Sequence, residues 1–98
     1  MSLQVVFRRT ARTEFDEAAD WYENQKEGLG NDFVSTVELV LNTIAEQPDR
    51  YPVILGDVRE ALLSRFPFGV YYRLKPYQIV IIAVFHASRD PSVLRGRK

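Results

Sequence analysis

The spacing of apolar residues predicts two amphipathic helices in the first half of the chain. Apolar side chains recur every three or four positions from Ala11 to Tyr22, and again from Phe33 to Ala45. This is the period of one face of an α-helix, and most of the acidic residues fall outside it. A short glycine-rich break separates the two patterns, at residues 28–30. The sequence therefore predicts an antiparallel helical hairpin.

The ends of the two helices are also marked in the sequence. We expect Thr10 to cap the first helix, because its hydroxyl can accept an amide hydrogen of the first turn. Asn31 or Asp32 is expected to cap the second helix in the same way. Pro48 should end it, since the residue before a proline disfavours helical geometry.

From residue 53 onward, the apolar period changes from 3.6 to 2, which indicates strands. A first strand is predicted at Leu3–Phe7, and three more at Val58–Phe66, Phe68–Leu74 and Gln78–His86. The short connections between the last three favour an antiparallel meander. The predicted order is β-α-α-β-β-β over a single domain, residues 1–98. The fold class is α+β, with the helical hairpin packed on one face of a small, mainly antiparallel sheet.

The last predicted strand is apolar on both faces. Alternation places Ile79, Ile81, Ala83 and Phe85 on one side, and the even-numbered residues 80–86 on the other. We therefore expect this strand to be central and covered on both sides. The residues after it, Asp90 to Lys98, form a short basic tail.

Composition narrows the functional classes. The 98 residues contain no cysteine and one histidine, so we expect no disulfide, no metal site and no cofactor. The longest apolar run, residues 79–85, is far shorter than the ~20 residues of a membrane-spanning helix. No signal peptide pattern is present at the start, so the expected location is the cytoplasm, without a membrane partner.

The formal net charge of zero conceals an uneven distribution. Residues 1–12 carry three arginines and no acid, residues 13–57 carry eleven acids against two bases, and residues 58–98 carry eight bases against two acids. The helical region is therefore acidic and both ends are basic. If nucleic acid is approached at all, we expect the sheet and tail to face it, because acidic helices repel phosphates.

Six strings in the same order resemble the RelE/ParE superfamily of bacterial type II toxins, and specifically its ParE branch, often called plasmid-stabilisation proteins. They lie in the first helix, the hairpin break, the end of the second helix and the sheet: residues 18–23, 28–33, 44–52, 58–63, 65–73 and 83–91. The resemblance covers nearly the whole chain. It implies a RelE/ParE-like fold and a growth-inhibiting toxin that a cognate antitoxin neutralises.

The resemblance leaves the target of the toxin open. ParE-type toxins are known as inhibitors of DNA gyrase, whereas RelE-type relatives cut messenger RNA on the ribosome. A further alternative is an inactive homologue that acts as a binding partner. Fold alone does not decide among these functions. A homodimer and a toxin–antitoxin hetero-oligomer both remain open as assemblies.

Several residues are candidates for contact with the target. Arg59 and Arg65 lie at odd positions of one strand segment, and Tyr71 and Arg73 lie at odd positions of the next. If both segments turn these positions to the same side, three guanidiniums and Tyr71 line one surface opposite the helices. His86 and Arg89, at the end of the last strand, complete the predicted target-binding set.

The RNase reading requires groups that deprotonate a 2′-hydroxyl, stabilise the phosphorane and protonate the leaving oxygen. Here its catalytic candidates are Arg59, Arg65, Arg73 and His86. The basic tail lacks the tyrosine or histidine that RNase members tend to place there, and the chain has only three lysines. This departure favours a non-hydrolytic inhibitor, with the enzymatic question left open.

Trp21 and Tyr22 are the candidates for antitoxin binding. Trp21 lies about 100° away from the centre of the apolar stripe by the 3.6-residue period. Antitoxins of the resembled family fold a disordered segment onto the toxin, as a helix in a groove and a strand at the sheet edge. The resemblance therefore implies an antitoxin surface near these two aromatic residues.

Overall fold

A computed structural model describes residues 3–98 of the protein. These residues form strand β1 (Gln4–Phe7), helices α1 (Arg9–Gln25) and α2 (Leu29–Glu46), and strands β2 (Val53–Leu55), β3 (Val58–Leu62), β4 (Phe68–Leu74) and β5 (Gln78–His86). A 3₁₀ helix follows at Pro91–Gly96. No helix in this part of the chain is long and apolar enough to cross a membrane.

The five strands form one mixed sheet in the order β1-β5-β4-β3-β2. β1 pairs with β5 in parallel, and the other neighbours pair antiparallel. The predicted α+β class and the meander are confirmed. The structure adds the short edge strand β2, and it ends β3 at Leu62 rather than Phe66. Residues 63–67 turn between β3 and β4, so Phe66 belongs to a connection.

The helical hairpin packs on one face of the sheet, as expected. Phe15 of α1 and Phe33 of α2 meet the sheet residues Val70, Tyr72 and Ile81 in the first core. Burying these side chains stabilises the fold by roughly 1.5–3 kcal/mol each. This face supplies the larger of the two cores.

The predicted helix caps are wrong. α1 begins one residue before Thr10, and its N-cap position, Arg8, makes no side-chain capping bond. α2 begins at Leu29, and the carboxylate of Glu23 accepts the N–H groups of Gly28 and Gly30, both at 3.0 Å. Gly28 has a φ of 87°, a conformation that glycine adopts without strain.

The opposite face of the sheet is also covered, by the 3₁₀ helix. Leu94 of this helix is fully buried against Val58, Tyr71 and Phe85 in a second core. β5 therefore lies between two apolar layers, as its composition predicts. The basic tail is not a free segment, since it folds back across the sheet.

Strict alternation along β5 is broken by a bulge. β4 Tyr71 pairs with Ala83 and Tyr72 with Ile81, which leaves Ile82 as the extra residue. After this irregularity the sides exchange, so Ala83 and Phe85 lie in the second core while Val84 lies in the first. A bulge adds one residue to one strand and shifts the facing pattern by one position. The even–odd assignment predicted for β5 therefore holds through Ile82 and fails from Ala83 onward.

Candidate functional site

Trp21, the one tryptophan of the sequence, lies on α1 beside the C-terminal end of β5. Trp21 is 57% exposed and meets Tyr22 edge to face, with ring centroids 5.1 Å apart. A cavity of about 270 Å³ opens between α1 and the ends of two strands. It is lined by Trp21, Tyr22, Pro67, Phe68 and His86.

A second depression continues from this cavity along α1. It has a volume of about 320 Å³ and shares Phe68 and His86 with the first. We call the combined surface the α1–β5 groove. Its residues are Glu14, Glu17, Ala18, Trp21, Tyr22, Pro67, Phe68, Val84, Phe85, His86 and Arg89. One end is aromatic and the other carries charged side chains, which suits a partner segment with an apolar anchor.

Tyr22 forms the floor of the aromatic end. Its ring lies 5.2 Å from Phe33 and 4.8 Å from Phe66, which joins it to the first core. Burial raises the pKa of Tyr22 above its ordinary value. Tyr22 therefore supports the groove from below, whereas Trp21 presents its ring to solvent.

His86 is exposed, and its ring orientation is fixed by the following turn. Its Nδ1 accepts the backbone N–H of Ser88 at 3.1 Å and lies 2.7 Å from the Ser88 hydroxyl oxygen. A neutral imidazole that accepts at Nδ1 carries its hydrogen on Nε2. Its ring centroid lies 5.8 Å from that of Phe68. His86 can thus donate from Nε2 to a group bound in the groove.

Glu14 organises the charged end of the groove. Its two carboxylate oxygens accept from the guanidinium of Arg97 at 2.7 and 2.9 Å, and one also accepts from Arg89 at 3.3 Å. Glu14 accepts the backbone N–H of Val84 as well, at 3.1 Å. The Arg89 guanidinium lies 4.9 Å from the centroid of the Phe85 ring. Arg89 is therefore held at the rim of the groove with its side chain partly exposed.

Arg59 lies on the helix-facing side of β3. Its Nη1 donates to the carbonyl oxygens of Asp49 at 3.2 Å and Tyr51 at 2.6 Å. Its cross-strand neighbour Tyr72 donates its hydroxyl to the Pro48 carbonyl at 2.6 Å. Both side chains hold the α2–β2 connection against the sheet.

Tyr71 and Arg73 lie on the opposite face of the sheet from Arg59. Tyr71 is 1% exposed and donates to a carboxylate oxygen of Glu60 at 2.8 Å. Burial, with this hydrogen bond, raises the pKa of Tyr71. Arg73 pairs with Asp57 and donates to the Arg97 carbonyl at 2.9 Å. Both residues are engaged with the second core and the C-terminal segment.

Arg65 lies in the connection between β3 and β4, not in a strand. Its guanidinium is exposed and lies 3.5 Å from the Asp32 carboxylate. This pair borders a surface depression of about 370 Å³ between α2 and the β3–β4 connection. Arg65 is therefore remote from the face that carries Arg73.

The expected arginine surface is therefore not formed. Arg59 faces the helices, Arg73 faces the other side, Arg65 is in a loop and Tyr71 is buried. The reason is that β3 and β4 place odd-numbered residues on opposite faces, because Arg59 pairs with Tyr72 rather than with an odd-numbered residue. The structure does bring together four other candidates around the α1–β5 groove: Trp21, Tyr22, His86 and Arg89.

The residues that sequence reasoning missed are Glu14 and Arg97. Glu14 lies off the apolar stripe of α1, and Arg97 lies in a tail with no apolar period. The only available signal was an acid early in a helix and a base near the end of the chain, which many exposed residues share. Within residues 3–98, no group of three or more histidine, aspartate or glutamate side chains could hold a metal ion.

The fold is that of a small α+β domain, and it is similar to chains in solved structures of toxin–antitoxin systems. A structure of the chromosomal ParDE system from P. aeruginosa superposes with a TM-score of 0.73 at 20% identity, covering 87% of this chain and 96% of that one. The RelBE2 toxin–antitoxin complex from Mycobacterium tuberculosis gives a TM-score of 0.62 at 20% identity, covering 88% and 99%. At this identity, the likeness shows a shared fold.

The sequence gives a narrower assignment. Residues 5–91 match the ParE toxin of the type II toxin–antitoxin system parDE. The chain belongs to the ParE toxin family. No curated protein matches its sequence.

Proposed function

We propose that this protein is the toxin of a type II toxin–antitoxin module, that it inhibits DNA gyrase, and that a cognate antitoxin neutralises it. The observation that carries the proposal is the match to the ParE toxin family over residues 5–91. The match includes both helices and all five strands apart from Gln4. Gyrase is the target that the ParE branch implies.

The α1–β5 groove supports the antitoxin part of the proposal. Trp21 is a large aromatic side chain with 57% of its surface exposed beside an open cavity. Aromatic anchors of this kind dominate binding energy when a partner covers them. Both structural neighbours come from toxin–antitoxin systems. The antitoxin segment is proposed to bury Trp21 and to lie along α1.

The arrangement of the arginines supports binding rather than hydrolysis. Arg59 and Arg73 are occupied by backbone carbonyls and a carboxylate. Phosphoryl chemistry needs cations that converge on one reacting phosphate. The contacts of Arg59 and Arg73 direct them away from each other, toward opposite faces of the sheet.

The RelE-type alternative is favoured by one observation, which is the position of His86. Its Nε2 hydrogen points away from the Ser88 contact, and Arg89 follows three residues later at the same rim. A histidine donor beside a guanidinium could protonate a leaving oxygen and stabilise a phosphorane. The RelE-type alternative therefore depends on His86 and Arg89 at the rim of the α1–β5 groove.

Induced expression of the chain alone tests the proposal. The expected result is growth arrest with gyrase–DNA cleavage complexes and inhibited supercoiling by purified gyrase, both reversed by the antitoxin. Cleavage of messenger RNA on ribosomes, abolished by His86→Ala, would replace gyrase with the ribosome as the target. Normal growth with retained antitoxin binding would instead identify an inactive homologue that acts as a binding partner.

A further inference from the structure

A cluster of basic residues surrounds the start of α1, away from the aromatic end of the groove. Arg8 and Arg9 come from the junction of β1 and α1, and Arg97 and Lys98 from the end of the chain. With Thr10, Ile82 and Gly96, these four side chains line a cavity of about 300 Å³. We call Arg8, Arg9, Arg97 and Lys98 the basic end.

Most of the charge of the basic end is not neutralised by the protein. Arg97 pairs with Glu14 at 2.7 Å. Within residues 3–98, the side chains of Arg8, Arg9 and Lys98 form no ion pair with an aspartate or glutamate side chain. Along α1, Asp16 pairs with Arg12, and Glu14 pairs with Arg89 and Arg97. Three side-chain positive charges without an acidic side-chain partner therefore lie beside one opening.

The position of these charges is electrostatically unfavourable for folding. The start of a helix carries a partial positive charge and normally attracts acidic side chains. α1 has no acid in its first turn and has Arg9 as its first residue. Like charges near one another at this end repel. Departures from local rules of this kind are expected at functional sites.

The C-terminal part of the basic end is fixed before any partner binds. The Arg97 guanidinium donates to the Ile82 carbonyl at 3.1 Å, and the Arg97 carbonyl accepts from Arg73 at 2.9 Å. The backbone N–H of Arg97 donates to the Leu94 carbonyl at 3.0 Å. These contacts fix the backbone immediately before Lys98, which lines the same cavity as Arg8 and Arg9.

We propose that the basic end binds the phosphodiester backbone of a nucleic acid. In this proposal, Arg8, Arg9 and Lys98 contact successive phosphates. The exposed acidic side chains of the helical hairpin, such as Asp16, Asp20 and Glu27, face away from the nucleic acid. Guanidinium groups recognise phosphate through paired hydrogen bonds, and the attraction does not depend on base sequence. The proposal goes beyond gyrase inhibition and does not depend on which target the toxin has.

Fluorescence anisotropy of labelled 20-nucleotide probes tests this proposal with the full chain. Single-stranded DNA, single-stranded RNA and duplex DNA of one sequence distinguish the sources of the phosphates. With three phosphate contacts on duplex DNA, we expect affinity to fall roughly 40-fold between about 50 and 200 mM salt. Arg8→Ala/Arg9→Ala/Lys98→Ala should remove most of this salt dependence on every probe.

The matched control is Lys26→Ala/Arg50→Ala/Lys75→Ala, which removes the same charge from other parts of the surface. It should retain the wild-type salt dependence. Arg9→Glu alone provides a second variant that is expected to fold well, because an acid suits the first turn of a helix; it should weaken binding without lowering the unfolding temperature. Equal losses in the two triple variants would overturn the proposal, and so would undiminished binding by Arg9→Glu. Competition by polyglutamate as strong as by unlabelled DNA would assign the basic end to an acidic protein instead.

Discussion

Glu14 and Arg97 form a bidentate ion pair between α1 and the end of the chain, 83 positions apart in sequence. The two N–O distances are 2.7 and 2.9 Å, and the side chains are only 17% and 16% exposed. β1 pairs with β5 only as far as Ile81. Beyond that point, Glu14 accepts the N–H of Val84 and Arg97 donates to the carbonyl of Ile82. The ion pair therefore replaces the missing strand along the edge of β5.

The first prediction concerns the stability of this edge. Glu14→Ala should lower the free energy of unfolding by about 3 kcal/mol, because it leaves the mostly buried Arg97 guanidinium without a compensating charge. Glu14→Gln should cost less than Glu14→Ala, since its amide oxygen can still accept from Val84. Urea unfolding of the three proteins measures the differences.

The exposed pair Arg12–Asp16, at 3.3 Å on the same helix, is the control for this prediction. Asp16→Ala should change the free energy of unfolding by no more than about 0.5 kcal/mol, as exposed pairs four residues apart do. A loss in Asp16→Ala as large as in Glu14→Ala would show that helix charge in general, and not the edge of β5, sets the effect.

The second prediction is a loss of stability at alkaline pH caused by Tyr72. Burial raises the pKa of Tyr72 to about 12. The unfolded chain releases this proton near pH 10, whereas the folded protein retains it, so the contribution is complete below about pH 10 and is lost as pH rises toward about 12. At about pH 11 the expected loss from Tyr72 is roughly 1.4 kcal/mol.

Tyr72→Phe tests the assignment. It removes the hydrogen bond to Pro48 and should cost about 1 kcal/mol at neutral pH. It should also make the alkaline decline less steep, leaving the part contributed by Tyr71, whose pKa burial also raises. Tyr77, which is 89% exposed, supplies the control variant Tyr77→Phe. Urea midpoints across the alkaline range measure both. An unchanged alkaline slope in Tyr72→Phe would contradict the predicted origin of the decline.

The helices and strands were predictable because one face of each helix contacts the core and the other contacts water, which leaves a periodic pattern of apolar residues in the sequence. The faces of α1 and α2 that carry Phe15 and Phe33 follow directly from the 3.6-residue period, and the two apolar faces of β5 follow from its composition. The face of the sheet on which each residue of β3 and β4 lies was not predictable. Assigning them requires the register of β3 against β4, in which Arg59 opposes Tyr72, and no periodicity within a single strand contains that information.

The candidate site was predictable only where it rests on local exposure. Trp21 stands out because an aromatic residue lies off an apolar stripe, and the structure leaves it exposed. The Glu14–Arg97 contact depends on the tail folding back over the sheet. The tail folds back because Leu94 is buried in the second core. A few apolar residues within a basic segment form too weak a pattern to predict such a tertiary contact.

The third prediction concerns antitoxin binding at Trp21. Trp21→Ala should raise the dissociation constant of the antitoxin complex about 30-fold, the effect expected when an aromatic anchor worth about 2 kcal/mol is removed. Its unfolding free energy should change little, because more than half of the side chain is exposed. Leu39, which is 68% exposed on α2, supplies the control variant Leu39→Ala. Calorimetric titration with the antitoxin measures the two, and equal weakening by both would remove the α1–β5 groove as the specific antitoxin surface.

The fourth prediction separates two arginines that the sequence alone placed together. Arg59→Ala should lower the free energy of unfolding by about 1–3 kcal/mol, because the carbonyls of Asp49 and Tyr51 lose their donor. Arg65→Ala should cost at most about 1 kcal/mol, because its pair with Asp32 is exposed. Arg59→Lys should recover only part of the loss, since a lysine ammonium cannot reproduce the planar donor set of a guanidinium.

Growth assays of the same variants then distinguish structural from target-binding roles. If Arg59 acts through the α2–β2 connection, Arg59→Ala should lose toxicity only in proportion to the fraction unfolded, measured by circular dichroism at the assay temperature. If Arg65 contacts the target, Arg65→Ala should lose toxicity while remaining fully folded. Full toxicity in folded Arg65→Ala would exclude the Arg65 side chain from the target contacts. The rim of the α1–β5 groove, with His86 and Arg89, would then be the remaining predicted contact, because those two side chains are exposed and lie together.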